Sequence, residues 1–277
     1  MNPGSDQITG FRVRGTELDR IGIWPSGGDL PISLAVHRDL VYVLHDGEAP
    51  GVTGFTIGKR GVLIAIPNSS RPLSGSPMPD AAQASFSPDG RRVVVTEKAT
   101  NLLVTYEVLT DGLLSAPLTT PSAAPTPFGF AFGRRGVLIV SEAAGGAPNA
   151  SALSSYRRDA SVWTTVSPAV ATTETAACWV GVTRNGRFAY ATNTGSGTIS
   201  GYRVRADGSL HLLNADGVTG VTGGAPIDLD LVGNRFLYAL NSGTQTISAF
   251  RVGTEGDLTL LGPTPGLPVA ANGLAAL

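Results

Sequence analysis

Two glutamates in this chain end strongly apolar runs, a place where a side chain can reach a ligand. They are Glu97 and Glu142, and two more carboxylates, Glu174 and Asp228, lie in connecting segments further along the chain. Carboxylates that share a site raise one another's pKa, so one of them could act as an acid or base near neutral pH. Such a group would repel an anionic ligand unless a cation such as Lys98 balanced it. The alternative for Glu97 and Glu142 is a carboxylate that pairs with neighbouring backbone donors or with Lys98.

Metal and thiol chemistry find little support in the sequence. Asp228 and Asp230 point to one side of a short strand, but two carboxylates fall short of the six or more oxygens that calcium takes. His37 and His45 are too isolated for a zinc site, and we expect them to be solvated or hydrogen-bonded at strand ends. The single Cys178 excludes an internal disulfide and a cysteine-based zinc cluster. The sequence therefore predicts no metal and no cofactor.

The candidate residues are carried by a repeat that reads turn, strand, loop, strand, turn. Its clearest copies are residues 86–116 and 182–213, and weaker copies begin at residues 36, 132 and 231. The spacing is roughly 45 to 52 residues, which is typical of four-stranded propeller blades. The 36 glycines and 19 prolines supply the many turns that short strands need. The pattern predicts an all-β propeller of antiparallel blades.

Within each repeat, the second strand is the most apolar, and the third strand alternates between residues that point to opposite faces of the sheet. Residues 188–192 (FAYAT) and 199–204 (ISGYRV) show the two textures. Counting strands gives five complete blades and one incomplete blade that lacks its second strand. We predict a single domain over 1–277, with complete blades at about 31–78, 79–124, 125–173, 174–222 and 223–270. An incomplete blade is expected from 1–30 and 271–277, with residues 273–277 (GLAAL) as its first strand.

The connections between second and third strands, and those between successive blades, lie on one face of such a fold. A concave mouth lined by a few polar groups is the usual ligand site. The candidate ligand-binding residues on this face are Gln83, Glu97, Lys98, Glu174 and Asp228. The turns on the other face, such as residues 207–210 (DGSL), are interpreted as scaffold.

The composition limits the kinds of partner that the protein could bind. The net charge is −1 and charged residues make up 15%, so there is no basic surface for nucleic acid and no polybasic anchor for a membrane. We therefore expect a small-molecule ligand. The first ten residues lack a charged segment followed by an apolar one, and no stretch is long enough to span a bilayer. The chain as given is expected to be cytoplasmic, or exported if a leader once preceded it.

The recurring pattern FSPDGR, VTE or TN, ISGYRV and DGSL, with the ending LPVAANGLAAL, resembles the propeller lactonase-like family over nearly the whole chain. That family groups propeller-type 6-phosphogluconolactonases with carboxymuconate lactonizing enzymes. The resemblance implies a ring of seven blades, so the chain is expected to be truncated at its amino end. The terminal blades would then expose apolar faces and promote self-association.

The resemblance also implies a catalytic set made of a His, an Arg-His pair after a Pro, and a Glu at a strand end. Glu142 matches the Glu and is the candidate catalytic base. Gln83 stands at the place of the His, and Phe128 and Gly129 follow Pro127 at the places of the Arg and His.

Two functions remain open from the sequence. The first is a lactonase-like hydrolase or isomerase acting on a small sugar-acid or muconate-type lactone, with Glu142 as the base. The second is a non-catalytic propeller that binds a small ligand or a protein on its mouth face, which the missing His and Arg support. Whether the protein is an enzyme is not decided by the sequence.

Overall fold

The computed structural model describes residues 1–159 and 162–276, almost all of them in strands and tight turns. The chain divides into two compact units, Met1–Pro121 and Ser122–Leu277, here called unit 1 and unit 2. No helix in the described residues is long and apolar enough to cross a lipid bilayer. The short 3-10 turns are Pro3–Ser5, Lys59–Gly61, Arg134–Gly136 and Ala144–Gly146.

Unit 1 holds a hairpin and two larger antiparallel sheets. The hairpin pairs β1 (Gln7–Arg14) with β2 (Glu17–Pro25). The next sheet has the order β3 (Pro31–His37), β4 (Leu40–His45), β5 (Gly51–Ile57) and β6 (Leu63–Ala65), with β7 (Arg71–Pro72) also pairing with β5. The third contains β8 (Ala81–Phe86), β9 (Arg92–Glu97), β10 (Leu102–Glu107) and β11 (Leu118–Pro121) in sequential order.

Unit 2 holds three more antiparallel sheets of the same kind. The first contains β12 (Pro127–Phe132), β13 (Leu138–Glu142), β14 (Ala152–Asp159) and β15 (Val162–Ala171). The second contains β16 (Ala177–Val182), β17 (Phe188–Asn193), β18 (Thr198–Val204) and β19 (Leu210–Leu212), with β20 (Gly220–Val221) also pairing with β18. The third contains β21 (Pro226–Val232), β22 (Phe236–Asn241), β23 (Thr246–Val252) and β24 (Leu258–Pro265).

The second strand of each larger sheet is the core of its blade. All six residues of β17 and all five of β13 are buried, which explains why these strands are apolar throughout instead of alternating. Several buried tyrosines donate their hydroxyl groups to backbone carbonyls. Tyr42 donates to the oxygen of Gly112 at 2.8 Å, and Tyr190 donates to that of Gly256 at 2.9 Å.

The structure confirms the predicted fold class, an all-β propeller architecture of four-stranded antiparallel blades with an incomplete one at the start of the chain. The single-domain organisation stays a prediction. The expected strand at 273–277 is wrong for residues 273–276, which form no strand, and Leu277 lies outside the described residues. Leu274 and Ala276 instead donate their N–H groups to carboxylate oxygens of Asp228 and Asp230, at 2.6 and 2.8 Å, so these groups do not enter a ladder.

Candidate functional site

A β-bulge interrupts the first strand of every four- or five-stranded sheet close to its start. A bulge releases a residue from the ladder and turns its side chain, and bulges are frequent beside active sites. The positions that the family resemblance singled out, Gln83, Phe128 and Gly129, all lie in bulges. The shifts in register fall between Pro31 and Ser33, Ala81 and Ala84, Pro127 and Phe130, Ala177 and Val180, and Pro226 and Asp228.

In unit 2, hydroxyl groups of second-strand residues accept hydrogen bonds from backbone N–H groups that the bulges release from the ladder. Ser141 Oγ accepts the N–H of Gly129 at 3.1 Å, and Thr192 Oγ1 accepts the N–H of Trp179 at 3.1 Å. Ser141 Oγ in turn donates to the carbonyl oxygen of Cys178. Because these buried backbone groups are satisfied, the bulges are fixed parts of the scaffold.

The positions that would hold the Arg-His pair have been filled by packing. Phe128 contacts Trp179 edge to face, with ring centroids 5.4 Å apart. A Cβ atom on Gly129 would lie 2.6 Å from the oxygen of Cys178 and 2.7 Å from Cα of Trp179. Since both obstacles are backbone atoms, a histidine at position 129 would require neighbouring strands to move apart.

Glu142 ends β13 and is fully buried, and its carboxylate is saturated with donors. Oε1 accepts from Ser122 Oγ at 2.8 Å, the N–H of Ala124 at 2.9 Å and the hydroxyl of Tyr156 at 3.2 Å. Oε2 accepts from Ser154 Oγ at 2.6 Å. Four donors match the roughly four acceptor sites of a carboxylate. The arrangement favours a structural role, and the catalytic role assigned to Glu142 stays a prediction.

Glu97 has a similar environment at the end of β9, where it is fully buried. Its oxygens accept the N–H of Ser74 at 2.9 Å, Ser74 Oγ at 2.7 Å and Thr100 Oγ1 at 2.5 Å. The carboxylate therefore ties the segment around Ser74 to the loop after β9. Burial, followed by the charge of Glu97, raises the pKa of Tyr106.

Lys98 forms an ion pair with a carboxylate of the protein. Its ammonium group lies 2.8 Å from Oδ1 of Asp80. Burial raises the pKa of Asp46 nearby; its hydrogen bond from Ala81 lowers it, the charge of Asp80 raises it and Lys98 lowers it again. Lys98 is thus engaged by acidic groups of the protein, which makes it a poor anchor for an anionic ligand.

Among the described residues of unit 2, the hydrogen-bond donors to Glu174 and Asp228 differ from those to Glu142. Glu174 accepts from Thr198 Oγ1 at 2.9 Å. Asp228 accepts the N–H of Leu229 at 2.7 Å and that of Leu274 at 2.6 Å, and burial raises its pKa to about 7. Each of these carboxylates therefore has its own set of donors. Among the described residues, no group of three or more His, Cys, Asp and Glu side chains could hold a metal ion.

A different part of unit 1 offers space for a ligand. A cavity of about 500 Å³ opens beside the ends of β4 and β5; we call it the His45 cavity. Its walls are built mainly from small and apolar residues, with a few polar side chains among them. The lining residues are Gly27, Gly28, Asp29, His45, Ala49, Pro50, Gly51, Val52, Thr53, Ser70, Arg71, Pro72, Leu73, Gly75 and Ser76. A volume of this size suits a small molecule.

His45 is the histidine in the wall of the His45 cavity, and its imidazole could act as a base near neutral pH. Only 2% of the residue is exposed, and its Nε2 has no hydrogen-bond partner among the residues that the structure describes. Burial lowers the pKa of His45, while the backbone of Ser26 and Gly51 and then the charge of Asp29 act in the opposite direction. The imidazole is therefore neutral at pH 7 and able to accept a proton.

The other polar groups of the cavity include hydroxyls and one guanidinium. Thr53 Oγ1 lies 3.3 Å from Ser70 Oγ. Arg71 donates from Nε to the oxygen of Leu114 at 2.7 Å and from Nη1 to the oxygens of Asn68 and Ser70 at 2.9 and 2.8 Å. Because backbone carbonyls already take much of this guanidinium, the cavity is better suited to hydroxyl-bearing ligands than to strong anions.

Sequence reasoning placed His45 at a strand end but assigned it no function, because a lone histidine carries no spacing signal. In the structure, residues 26–29 cross over the imidazole of His45 beside the cavity. A Cβ on Gly28 would lie 2.8 Å from Cγ of His45, so residues 26–29 can cover the imidazole only because position 28 is a glycine. The dipeptide Gly27-Gly28 was the available signal, although nothing in it points to residue 45.

Residues 158–271 match the family model described as Lactonase, 7-bladed beta-propeller. The family resemblance inferred from the repeats is thus confirmed for that part of the chain. No curated protein matches the sequence.

Solved structures share the fold at low sequence identity. A Lactobacillus plantarum protein is 23% identical with a TM-score of 0.78, over 95% of this chain and 80% of its own. A Pseudomonas aeruginosa periplasmic gluconolactonase is 15% identical with a TM-score of 0.74, over 94% of this chain and 78% of its own. A candidate 6-phosphogluconolactonase from Bacteroides fragilis gives the same four values. At these identities the likeness shows the fold.

Proposed function

We propose that the protein hydrolyses a small uncharged lactone in the His45 cavity, with His45 as the general base. The observation that carries the proposal is the buried imidazole of His45, whose Nε2 has no partner among the described residues, in the wall of a 500 Å³ cavity. The match of residues 158–271 to a lactonase family model supports the reaction class.

Lactone hydrolysis adds one water to an ester and needs little more than a base and a donor. His45 would take a proton from water as the water attacks the lactone carbonyl. The ring carbon–oxygen bond then breaks, the ring oxygen takes a proton and a hydroxy acid leaves. Asp29, whose charge raises the pKa of His45, would stabilise the imidazolium formed in this step.

The charges of the cavity favour a substrate without a phosphate group. Asp29 contributes a negative charge, and the guanidinium of Arg71 is held by three backbone carbonyls. Thr53 and Ser70 present hydroxyls that suit the hydroxyl groups of a sugar lactone. We therefore expect gluconolactone to be hydrolysed faster than its 6-phosphate.

The test is acid release from the two lactones, measured in a pH-stat against the spontaneous rate. His45→Gln should lower kcat/KM by at least about 100-fold, which is the usual contribution of a general base. His211→Gln is the matched control, since His211 is exposed on β19 in unit 2. A folded His45→Gln variant with the wild-type rate would overturn the assignment of the base.

The same assay addresses Glu142. If Glu142→Gln abolished hydrolysis while leaving the melting temperature unchanged, the base would be Glu142 as the family resemblance implies. The four donors around this carboxylate make us expect the reverse, a less stable protein with an unchanged rate per folded molecule.

A second candidate function is ligand binding without catalysis. It is favoured by the packing of Phe128 on Trp179 and by the lack of room at Gly129, which leave no cationic group at these two positions of the family site. Binding of gluconolactone in calorimetry, weakened by Thr53→Val but with no acid release above the spontaneous rate, would establish this alternative.

A further inference from the structure

A second cavity, of about 250 Å³, lies in unit 2 and is basic; we call it the arginine pocket. Four arginines contribute to its wall: Arg134, Arg135, Arg187 and Arg205. The remaining lining residues are Val137, Asn185, Gly186, Val204 and Ala206, so its described wall contains no carboxylate. The net charge of the whole chain is −1. The positive charge of the pocket therefore comes from the folding of the chain, which brings these arginines together.

Three of the four guanidinium groups of the arginine pocket, those of Arg134, Arg135 and Arg205, have no hydrogen bond or ion pair within residues 1–159 and 162–276. The fourth, that of Arg187, lies over the ring of Phe188. By contrast, Arg203 close by pairs with Glu255 at 2.7 Å. The acid in the same turn as Arg205 is Asp207, and it accepts from the N–H and Oγ of Ser209 at 3.0 and 2.7 Å. These hydrogen bonds lower the pKa of Asp207, and the charge of Arg205 helps to lower it.

Three separate turns hold these arginines in place. Arg134 and Arg135 lie between β12 and β13, Arg187 directly precedes β17 and Arg205 directly follows β18. A Cβ on Gly186 would collide with Cγ of Arg134, so the glycine lets the arginine stem lie against the neighbouring turn. The ring of Phe188 lies 5.2 Å from the guanidinium carbon of Arg187 and supports it.

Hydrogen bonds fix the turns themselves. Nη2 of Arg157 donates to the oxygen of Ala206 at 2.8 Å, and Ser155 Oγ donates to the oxygen of Gly208 at 2.8 Å. On the other side, the N–H of Asn185 donates to Oδ1 of Asn234 at 2.7 Å. The backbone carrying the arginines is thus organised before any ligand arrives, which reduces the entropic cost of binding.

We infer that the arginine pocket binds a small anion carrying two phosphate groups. Guanidinium groups match phosphate oxygens in bidentate geometry, and four of them exceed the charge that one phosphate would balance. The volume of about 250 Å³ accommodates a diphosphate. The pocket lies at the end of the unit 2 sheets opposite to Glu142, so the site is separate from the predicted mouth face.

The experiment is calorimetric titration of the whole protein with inorganic pyrophosphate at low salt. We expect saturable binding of one pyrophosphate, weaker binding of orthophosphate, and an affinity that falls as salt is raised. Arg135→Ala combined with Arg205→Ala should weaken pyrophosphate binding at least about 10-fold, because two charge-assisted contacts are lost. Both side chains project from turns, so the double variant should fold.

The matched control is Arg91→Ala. Arg91 is exposed in residues 86–92 of unit 1, a turn of the same pattern as that of Arg187, but it does not line the pocket. We expect its affinity for pyrophosphate to stay within about 2-fold of the wild type. The inference is overturned if the wild type does not bind pyrophosphate at low salt, if the double variant binds as tightly as the wild type, or if Arg91→Ala loses as much as the double variant.

Replacing the same two arginines with lysine separates geometry from charge. Lysine keeps the positive charge but lacks the planar pair of donors. A loss of affinity in the Arg135→Lys and Arg205→Lys double variant supports a built phosphate site. Wild-type affinity in that variant would show a diffuse electrostatic effect and would overturn the inference of a specific site.

Discussion

Asp228→Asn should make the stability of the protein less sensitive to pH, so that the stability of the variant relative to the wild type rises between pH 4 and pH 7. Asp228 is 4% exposed, and burial raises its pKa from the ordinary 3.8 to about 7, against the effect of the N–H groups of Leu274 and Leu229. Asparagine has nearly the shape of the protonated acid and cannot ionise. The variant thus reproduces the state that the folded protein prefers at low pH.

The size of the effect follows from linkage. Well below pH 3.8, both the folded state and the unfolded chain hold the proton. Between pH 4 and 7 the unfolded chain loses it while the folded state keeps it, so the free energy of unfolding falls as pH rises, by about 1.4 kcal/mol per pH unit. The shift of Asp228 to about 7 sets the total at about 4 kcal/mol, reached just above pH 7.

The assay is urea unfolding at pH 4, 5, 6, 7 and 8, followed by the fluorescence of Trp163 and Trp179 in unit 2. Relative to the wild type, Asp228→Asn should gain stability steadily from pH 4 to pH 7. Asp230→Asn is the control, since Asp230 accepts Ala276 and Leu231 in the same pattern but is only half-buried. Parallel pH profiles for wild type and Asp228→Asn would refute the reasoning.

Three further predictions concern packing, the buried carboxylate and the proposed base. Gly129→Ala should destabilise the protein by about 2 kcal/mol, because its Cβ meets backbone atoms, whereas Gly4→Ala, with nothing within 4 Å, should be neutral in the same urea assay. Glu142→Gln should cost about 2 kcal/mol, since an amide group would face hydroxyl and N–H donors; equal urea midpoints would contradict this. For lactone hydrolysis, kcat/KM should fall on the acid side with a midpoint below pH 6.5, because burial lowers the pKa of His45, and a midpoint above that value would exclude His45.

Most of the fold could be predicted from the sequence because each blade is a local structure. Its strands are consecutive in the chain and pair with their neighbours, so a repeat of turn residues and apolar runs defines it. The buried second strands, such as β9 and β17, carry the clearest signal because both of their faces are covered. The strand predicted at 273–277 failed because two distant carboxylates, Asp228 and Asp230, take the N–H groups of Leu274 and Ala276.

The candidate site was harder to predict because it depends on contacts between distant segments. The sequence shows that Glu97 and Glu142 end strands, but not that Ser74, Thr100, Ser122 and others surround them with donors. It likewise gives no sign that residues 26–29 cross His45. Such contacts depend on loop paths, which turn residues only weakly specify.

The recurring bulge has a consequence for how this architecture can change over time. Each of the five larger sheets contains a short backbone stretch that is released from strand pairing, and in unit 2 hydroxyl groups of the next strand hold its N–H groups. A new side chain at such a position alters what the sheet presents without disturbing the ladder beside it. Phe128 on one bulge and Gln83 on another occupy two such positions, whereas Gly129 has no room for a side chain. The larger sheets are therefore similar scaffolds, and a substitution in the bulge of one sheet can change the chemistry of that sheet alone.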